Sequence, residues 1–158
     1  MHYKTYSKIS IIFLLIIVLI SLSSSNIHAR QKYGIRLGVY SDIDGTYVGA
    51  ERLFHLSPDF WLTPNFEYVF ADNITFFSIN MDITYDFTPT RNFVYWIGAG
   101  PGLVYSNPEG SEEGGADFGA NILAGIRIRT KGPVTPYLQA KILLSDYQDF
   151  VFGFGLRF

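Results

Sequence analysis

Apolar and polar residues alternate one by one over long stretches of this chain. In residues 77–87 every odd-numbered position is apolar, whereas every even-numbered position is polar or acidic. The stretches 33–40, 118–129 and 150–158 repeat this alternation. Such a period of two is typical of a β-strand that has one apolar face. The pattern therefore predicts an all-β chain.

Turn-forming residues divide the chain into eight such strands. The predicted strands span residues 32–41, 46–56, 59–70, 74–87, 92–105, 117–130, 134–145 and 149–158. Most of them reach the roughly 9–11 residues that a tilted membrane-spanning strand needs. Because most connections are short, we expect neighbouring strands to pair antiparallel in an up-and-down barrel.

Two features disturb this pattern. Glu51 and Arg52 are adjacent in the second strand, so one of them must point to the apolar side, and we expect a bulge to resolve the conflict. Pro64, Pro101 and Pro136 lie inside predicted strands, where each removes one backbone hydrogen-bond donor. We expect these prolines to mark bulges or strand ends.

Side-chain size decides which face of the barrel points inward. Eight strands enclose just enough room for side chains, and the apolar face carries too many phenylalanines to fit there. The opposite face offers glycines together with acids and bases that can pair. We therefore predict an eight-stranded antiparallel transmembrane β-barrel with a polar, filled interior and an apolar face toward lipid.

The predicted lumenal polar network comprises Arg36, Glu67, Asn80, Asp82, Asp86, Asn121, Arg127, Arg129, Lys141 and Arg157. These side chains could fill and rigidify the interior, or they could line a narrow pore for ions or small solutes. Because the interiors of eight-stranded barrels are normally filled, the structural role is favoured.

The first 29 residues form a separate segment. Lys4 and Lys8 precede an apolar run at residues 9–22, and a stretch of mostly small, polar residues leads to Ala29. This order is typical of a secretory signal peptide, and the apolar run is shorter than the roughly 20 residues of a spanning helix. We predict cleavage after Ala29, which leaves residues 30–158 as one β-barrel domain; a membrane anchor is the alternative.

Composition agrees with export to a membrane. Aromatic residues make up 17% of the chain and charged residues 16%, against about 25% charged residues in typical soluble domains. Without Lys4 and Lys8, ten basic residues stand against 14 acidic ones, a formal charge of −4. No basic patch suggests a nucleic-acid partner. The absence of cysteine excludes disulfides, thiolate metal sites and cysteine nucleophiles.

The C-terminal residues 151–158 resemble the assembly signal of bacterial outer-membrane barrels. Phe158 matches the terminal aromatic residue of that signal, and Leu156 and Gly153 match its hydrophobic and glycine positions, whereas Val151 replaces the usual polar residue. In pattern and length, residues 31–158 are similar to the small eight-stranded barrels of the OmpA transmembrane-domain and OmpX-like class. The resemblance implies insertion by the barrel-assembly machinery into the bacterial outer membrane. We expect a monomer whose partners are membrane lipid and lipopolysaccharide.

Candidate catalytic groups are few. His55 is the one histidine after residue 29, and Ser57 and Glu51 lie near it in sequence. A Ser–His–acid hydrolase needs these groups within hydrogen-bond reach. Because Pro58 follows at a predicted periplasmic turn, an interfacial histidine is favoured over a catalytic one.

Two acidic stretches could bind a cation. Residues 42–45 (DIDG) resemble the start of a calcium loop, but the later ligands are missing, so a hairpin turn is favoured. The longest predicted loop carries Glu109, Glu112, Glu113 and Asp117. These acids could bind a divalent cation that bridges to lipopolysaccharide, although a solvated loop is favoured.

We therefore predict no catalytic, cofactor-binding or metal site. The sequence favours a non-enzymatic integral outer-membrane protein with a structural or surface-interaction role. A narrow porin-like channel and a lipid-modifying enzyme are the alternatives.

Overall fold

The described residues of the computed structural model, 32–87, 90–108, 114–146 and 148–158, form eight β-strands. The strands are β1 (Lys32–Tyr40), β2 (Gly45–Ser57), β3 (Phe60–Ala71), β4 (Ile74–Phe87), β5 (Phe93–Pro108), β6 (Gly115–Ile128), β7 (Thr135–Leu144) and β8 (Asp149–Arg157). The predicted bounds differ from these by at most three residues. The predicted signal peptide, residues 1–29, lies outside the described residues. In the described part of the chain, no helix is long and apolar enough to cross a membrane.

The eight strands form a closed antiparallel barrel. Each strand pairs with the next one along the chain, and β8 pairs with β1. Closure leaves no sheet edge with unpaired backbone groups. The predicted up-and-down barrel is confirmed. We call the end that holds Lys32 and Phe158 the inner end, and the end that holds the β1–β2, β3–β4, β5–β6 and β7–β8 connections the outer end.

Two outer-end turns need a left-handed backbone. Asp44 in the β1–β2 turn has a φ of 52°, and Asn73 in the β3–β4 turn has a φ of 59°. Short polar side chains such as these tolerate the left-handed region better than other non-glycine residues do. The stretch 42–45, predicted as a hairpin turn, leads directly from β1 into β2.

The alternation in the sequence becomes an outward apolar face and an inward polar face. In β3, Phe66 and Phe70 are exposed on the outside, whereas Asn65 and Glu67 between and beside them are buried. In β8, Phe152 is exposed while its neighbour Val151 is buried. The predicted polar, filled interior is therefore confirmed.

The expected bulge at Glu51 and Arg52 is wrong. β2 keeps one register with β1 through this point, with Gly34 opposite Glu51 and Tyr33 opposite Arg52. Glu51 points inward and is buried. The Arg52 guanidinium lies on the outside, 5.3 Å from the ring centre of Tyr33 and 4.7 Å from that of Phe54. Contact with two rings makes an outward arginine acceptable without any change of register.

The irregularities of the sheet lie elsewhere. The register of β2 against β3 shifts between His55 and Ser57, beside the inner-end turn. Pro64 and Pro101 lie within β3 and β5 without a register shift, so the expectation of bulges there is wrong. Each of these prolines removes one ladder hydrogen bond, and the flanking pairs keep the register. Pro136, the second residue of β7, does mark a strand end.

Interior aromatic rings fit because glycines face them. A Cβ atom on Gly125 would lie 2.0 Å from Cζ2 of Trp96, and one on Gly153 would lie 2.1 Å from the hydroxyl oxygen of Tyr47. Both distances are far below van der Waals contact. The glycines therefore supply the space that large side chains need inside so narrow a barrel.

An apolar layer closes the interior near the outer end. It consists of Tyr40, Tyr47, Val69, Phe76, Val104, Leu143 and Val151. Seven of the eight strands contribute one side chain each, and none is more than 2% exposed. This layer separates the polar interior from the outer-end turns.

The junction of the first and last strands is held by a carboxylate. Asp149, at the start of β8, is buried and accepts hydrogen bonds from the backbone amides of Asp42 (3.0 Å) and Ile43 (3.1 Å). The β1–β2 turn is thus tied directly to β8, the strand that pairs with β1. A buried carboxylate is stable here because amide donors replace its water.

We expect Gly125→Ala to lower the free energy of unfolding by about 1–3 kcal/mol, because the added methyl group overpacks the interior against Trp96. Gly115→Ala in the same strand is the matched control, since nothing lies within 4 Å of its Cβ position. Urea unfolding in phospholipid vesicles measures both variants. Equal stability of the two would contradict this account of the packing.

We expect Asp149→Ala to lower the free energy of unfolding by about 1–3 kcal/mol, because two partly buried hydrogen bonds from backbone amides lose their acceptor. Hydrogen exchange at the amides of Asp42 and Ile43 should speed up in this variant. Asp146→Ala, an exposed change in the β7–β8 turn, is the control. Unaltered exchange at both amides would show that the carboxylate does not hold the junction.

Candidate functional site

The polar interior contains the densest cluster of charged side chains among the described residues, and Glu67 lies at its centre. Its carboxylate is fully buried and pairs with Lys141 Nζ at 2.5 Å and with Arg36 Nη2 at 2.9 Å. The hydroxyl of Tyr40 donates to the same carboxylate, and that of Ser78 lies 3.3 Å from it. Glu67 is thereby joined to β1, β4 and β7. A buried carboxylate needs this full set of donors and opposite charges.

A chain of side-chain amides extends from this centre. Asn80 Nδ2 donates to Asn65 Oδ1 (2.9 Å), and Asn121 Nδ2 donates to Asn80 Oδ1 (2.9 Å). Asp82 accepts from Asn65 at 2.8 Å and from Asn121 at 3.1 Å. Arg36 also donates to Asn65, which links the amides to the ion pairs. Buried polar groups in such a network stay satisfied only if the strands keep their relative positions.

A second ionic layer lies nearer the inner end. Arg157 Nε donates to Glu51 at 2.7 Å, and Arg36 Nη1 lies 3.8 Å from the same carboxylate. The guanidinium of Arg157 also lies 5.0 Å from the ring centre of Trp96 and 4.4 Å from that of Tyr137. Charge and aromatic contacts together hold this arginine in place.

A third cluster lies at the inner mouth of the barrel. Asp86 pairs with Arg127 and accepts a hydrogen bond from Trp61 Nε1 at 2.9 Å. His55 packs against the ring of Trp61, with ring centres 4.7 Å apart. Because both members of the ion pair are partly exposed, water screens them more than the central pairs.

The charges of these three layers balance; the buried Asp149, at the outer-end start of β8, lies outside them. The acidic members of the three layers are Glu51, Glu67, Asp82 and Asp86, and the basic members are Arg36, Arg127, Lys141 and Arg157. Four negative groups thus face four positive ones. Such a balanced set is suited to holding strands together, because ion pairs compensate seven of these eight groups and side-chain amides donate to the eighth, Asp82.

The structure places nine of the ten predicted network residues on the inward face. Arg129 is the exception: it follows the end of β6 at Ile128 and is exposed. Its inclusion in the lumenal network was therefore wrong, because the predicted β6 ran two residues too far. Sequence reasoning missed Glu51, Asn65 and Tyr40. Glu51 could have been found from the alternation of β2, since Tyr47, Glu51 and Leu53 share one parity.

The other candidate groups form neither a catalytic hydrogen bond nor a metal-ligand cluster in the described part of the chain. No hydrogen bond joins His55 to Ser57 there, and His55 instead packs on Trp61. No cluster of potential metal ligands occurs among the described residues. Glu109, Glu112 and Glu113 lie outside them. Gly153, Leu156 and Phe158 lie on or directly after β8, and their role as an assembly signal stays a prediction.

Comparison with known proteins identifies the fold. No protein-family model matches the chain, and no curated protein matches it by sequence. The N-terminal β-barrel domain of Pseudomonas aeruginosa OprF superposes with a TM-score of 0.68 at 17% identity, covering 81% of this chain and 95% of that one. Neisserial surface protein A gives 0.63 at 12% identity, covering 80% and 94%. The outer membrane enzyme PagL gives 0.51 at 12% identity, covering 80% and 96%.

These similarities show that the chain has the fold of the small eight-stranded outer-membrane barrels, as predicted. One of the three similar structures is an enzyme and another is a surface protein. The fold therefore does not select a function, which must be argued from the residues of this chain.

We expect Lys141→Met to lower the free energy of unfolding by about 3–5 kcal/mol, because Glu67 stays buried with one cation fewer. The double variant Lys141→Met/Glu67→Gln should lose less than the sum of the two single variants, since it removes both charges. Urea unfolding of all three completes the cycle.

Lys131→Met is the control for these variants, because Lys131 is exposed in the β6–β7 turn. It should change the stability by less than about 0.5 kcal/mol. Additive losses in the cycle would mean that Lys141 and Glu67 do not act as a pair.

Proposed function

We propose that this chain is an integral β-barrel protein of the bacterial outer membrane, with a structural or surface-interaction role and no chemistry of its own. In this proposal it is a monomer whose partners are membrane lipid and lipopolysaccharide. The observation that carries the proposal is an apolar outer face around a filled, charge-balanced interior. A lipid bilayer accepts such a face, and water does not.

The apolar face runs all the way around the barrel. Every strand contributes at least one exposed large apolar residue to this face. Examples are Ile35, Leu37, Val48, Phe66, Phe70, Ile79, Ile83, Ile97, Phe118, Ile122, Leu138, Phe150, Phe152 and Phe154. A soluble monomer rarely exposes more than a few hundred Å² of contiguous apolar surface. The continuous apolar belt therefore supports a position within lipid.

Tyrosines on the outward face lie close to the two ends of the belt. Tyr33, Tyr85 and Tyr95 lie near the inner ends of β1, β4 and β5, and Tyr68 and Tyr105 lie near the outer ends of β3 and β5. Tyrosine favours the boundary between lipid and water because its ring is apolar and its hydroxyl is polar. Two such bands support a barrel that spans the membrane.

The orientation rests on the side at which the strands begin and end. The β5–β6 connection at the outer end and the β6–β7 connection at the inner end are equally long, so connection length does not choose a side. The predicted export brings the chain to the periplasm, and eight strands return the end of β8 to the side where β1 begins. We therefore place the inner end, with Lys32 and Phe158, in the periplasm and the outer end outside the cell.

The apolar layer supports a barrel that does not conduct. Buried side chains from seven strands meet there, so an ion would have to displace packed rings and then cross a dehydrated zone. The polar network below the layer is internally paired and needs no ion to balance it. Both features favour a structural role for the lumenal charges over a pore.

We expect the chain, expressed in a Gram-negative host, to fractionate with the outer membrane and to start near Arg30. Closed barrels remain folded in cold SDS, so unheated and boiled samples should migrate differently on a gel. A soluble periplasmic protein with no such shift would contradict the proposal.

We expect no stepwise conductance when the barrel is inserted into a planar lipid bilayer, because the apolar layer blocks the lumen. The variant Tyr47→Ala/Phe76→Ala removes two rings of the layer and tests whether a pore would be detected. Conductance steps from the wild-type protein would support the narrow-channel alternative instead.

A further inference from the structure

The hydrogen-bond ladder between β1 and β8 differs from the other ladders of the barrel. Every other ladder joins strands that follow one another along the chain, so a connection tethers the two strands at one end. β1 and β8 are the first and last strands and share no connection. We call their ladder, which pairs residues 34–40 with residues 151–157, the seam. Because only non-covalent contacts hold the seam, its strands can separate without stretching a turn.

Glycine is frequent on the inward side of the seam. The inward register pairs are Gly34–Arg157, Arg36–Gly155, Gly38–Gly153 and Tyr40–Val151. Glycine has no side chain that could pack against a partner across the ladder. Cross-strand packing between β1 and β8 themselves is therefore sparse, and side chains that reach over the glycines supply the missing contacts.

The first such contact crosses the seam near the inner end. Glu51 of β2, Gly34 of β1 and Arg157 of β8 occupy one row of the sheet. Glu51 Oε1 lies 2.6 Å from the place that a Cβ atom on Gly34 would take, and 2.7 Å from Arg157 Nε. The ion pair therefore bridges β2 and β8 directly over β1, where a glycine leaves room for it.

The second contact crosses the seam nearer the outer end. Tyr47 of β2, Gly38 of β1 and Gly153 of β8 occupy one row. Cε1 of Tyr47 lies 2.7 Å from the Cβ position of Gly38, and the hydroxyl oxygen lies 2.1 Å from that of Gly153. The buried ring of Tyr47 thus reaches from β2 across β1 onto β8.

We propose that the closed barrel opens first at the seam, and that the Glu51–Arg157 pair and the Tyr47 ring form a clasp that restrains this opening. Opening the seam requires the Arg157 guanidinium to leave Glu51 and the Tyr47 ring to leave β8. An unpaired charge in the interior is strongly unfavourable, and so is an unpaired backbone group that faces lipid. The clasp belongs to the closed barrel itself and does not depend on the proposed cellular role.

Hydrogen exchange resolved by NMR, with the folded barrel in phospholipid nanodiscs, tests where the barrel opens. The amide of Tyr33 donates to the carbonyl that follows β8, and alternate residues of an antiparallel strand bond to the same neighbour. The amides of Ile35, Leu37 and Val39 therefore report on the seam, and those of residues 79–83 report on the middle of β4. We expect the wild-type seam amides to exchange at least about tenfold faster than the β4 amides, because the smallest opening exposes them first. Equal rates at the two places would overturn the proposal.

Two variants test the clasp. Tyr47→Leu shortens the side chain and leaves every charge in place, and Glu51→Gln/Arg157→Met removes both charges of the pair together. We expect each variant to speed exchange of the seam amides by at least about tenfold and to change the β4 amides by less than about twofold. Equal acceleration at both places would mean that these side chains stabilise the whole barrel, and the clasp would be wrong. If the double variant does not fold, Tyr47→Leu alone decides.

A paired substitution tests whether Tyr47 spans the seam. Gly153→Ala places a methyl group where the Tyr47 hydroxyl lies, so we expect it to speed seam exchange by at least about fivefold. Adding Tyr47→Phe removes the hydroxyl and should restore most of the wild-type rate. Gly102→Ala is the matched control, because its Cβ atom would lie 2.6 Å from Asn80 Oδ1, away from the seam. Failure of Tyr47→Phe to rescue Gly153→Ala, or equal acceleration of the seam amides by Gly102→Ala, would overturn the clasp.

Discussion

The structure depends on the need to compensate one buried carboxylate. Glu67 lies fully buried between Lys141 and Arg36, with the hydroxyl of Tyr40 as a further donor. Ladder hydrogen bonds fix each strand only against its neighbours, whereas these contacts join β3 to strands on the far side of the lumen. Because an uncompensated charge would be strongly unfavourable in the interior, the strands must keep the relative positions that bring the donors together. The amide chain below and the apolar layer above are built on that arrangement.

The same narrow interior explains why glycines and large rings occur together. Eight strands leave little room, yet Trp96 and Tyr47 are both buried. They fit because Gly125 and Gly153 present bare backbone where the rings pass. The interior is therefore filled in two ways, by paired charges and by rings against glycines. Both ways require side chains of a particular length. Many apolar residue types are therefore acceptable on the outer face, whereas few residue types fit at each interior position.

The sequence predicts the strands well because each residue of a strand, by being apolar or polar, indicates which face of the sheet it lies on. It predicts which alternate positions of each strand face inward, and hence the inward position of Arg36, Glu67 and Lys141. It does not predict which of these side chains contact one another, since the partners lie on strands that are not neighbours. Arg129 was misplaced because no residue type signals that β6 ends at Ile128. The bulge expected at Glu51 and Arg52 was wrong because aromatic rings on the outside accept the arginine, and single-chain patterns do not show neighbours across a ladder.

The balance of interior charge also constrains how such a chain can change over generations. A single replacement among the six lumenal charges away from the inner mouth leaves an unmatched ion in the buried interior, and the barrel is then less stable until a second replacement restores the balance. Glu51 and Arg157, which lie 106 residues apart, would have to exchange together or not at all. Outward positions such as Phe150 or Ile97 face no such coupling, so related barrels would diverge freely on the outside while their interiors drift in linked pairs.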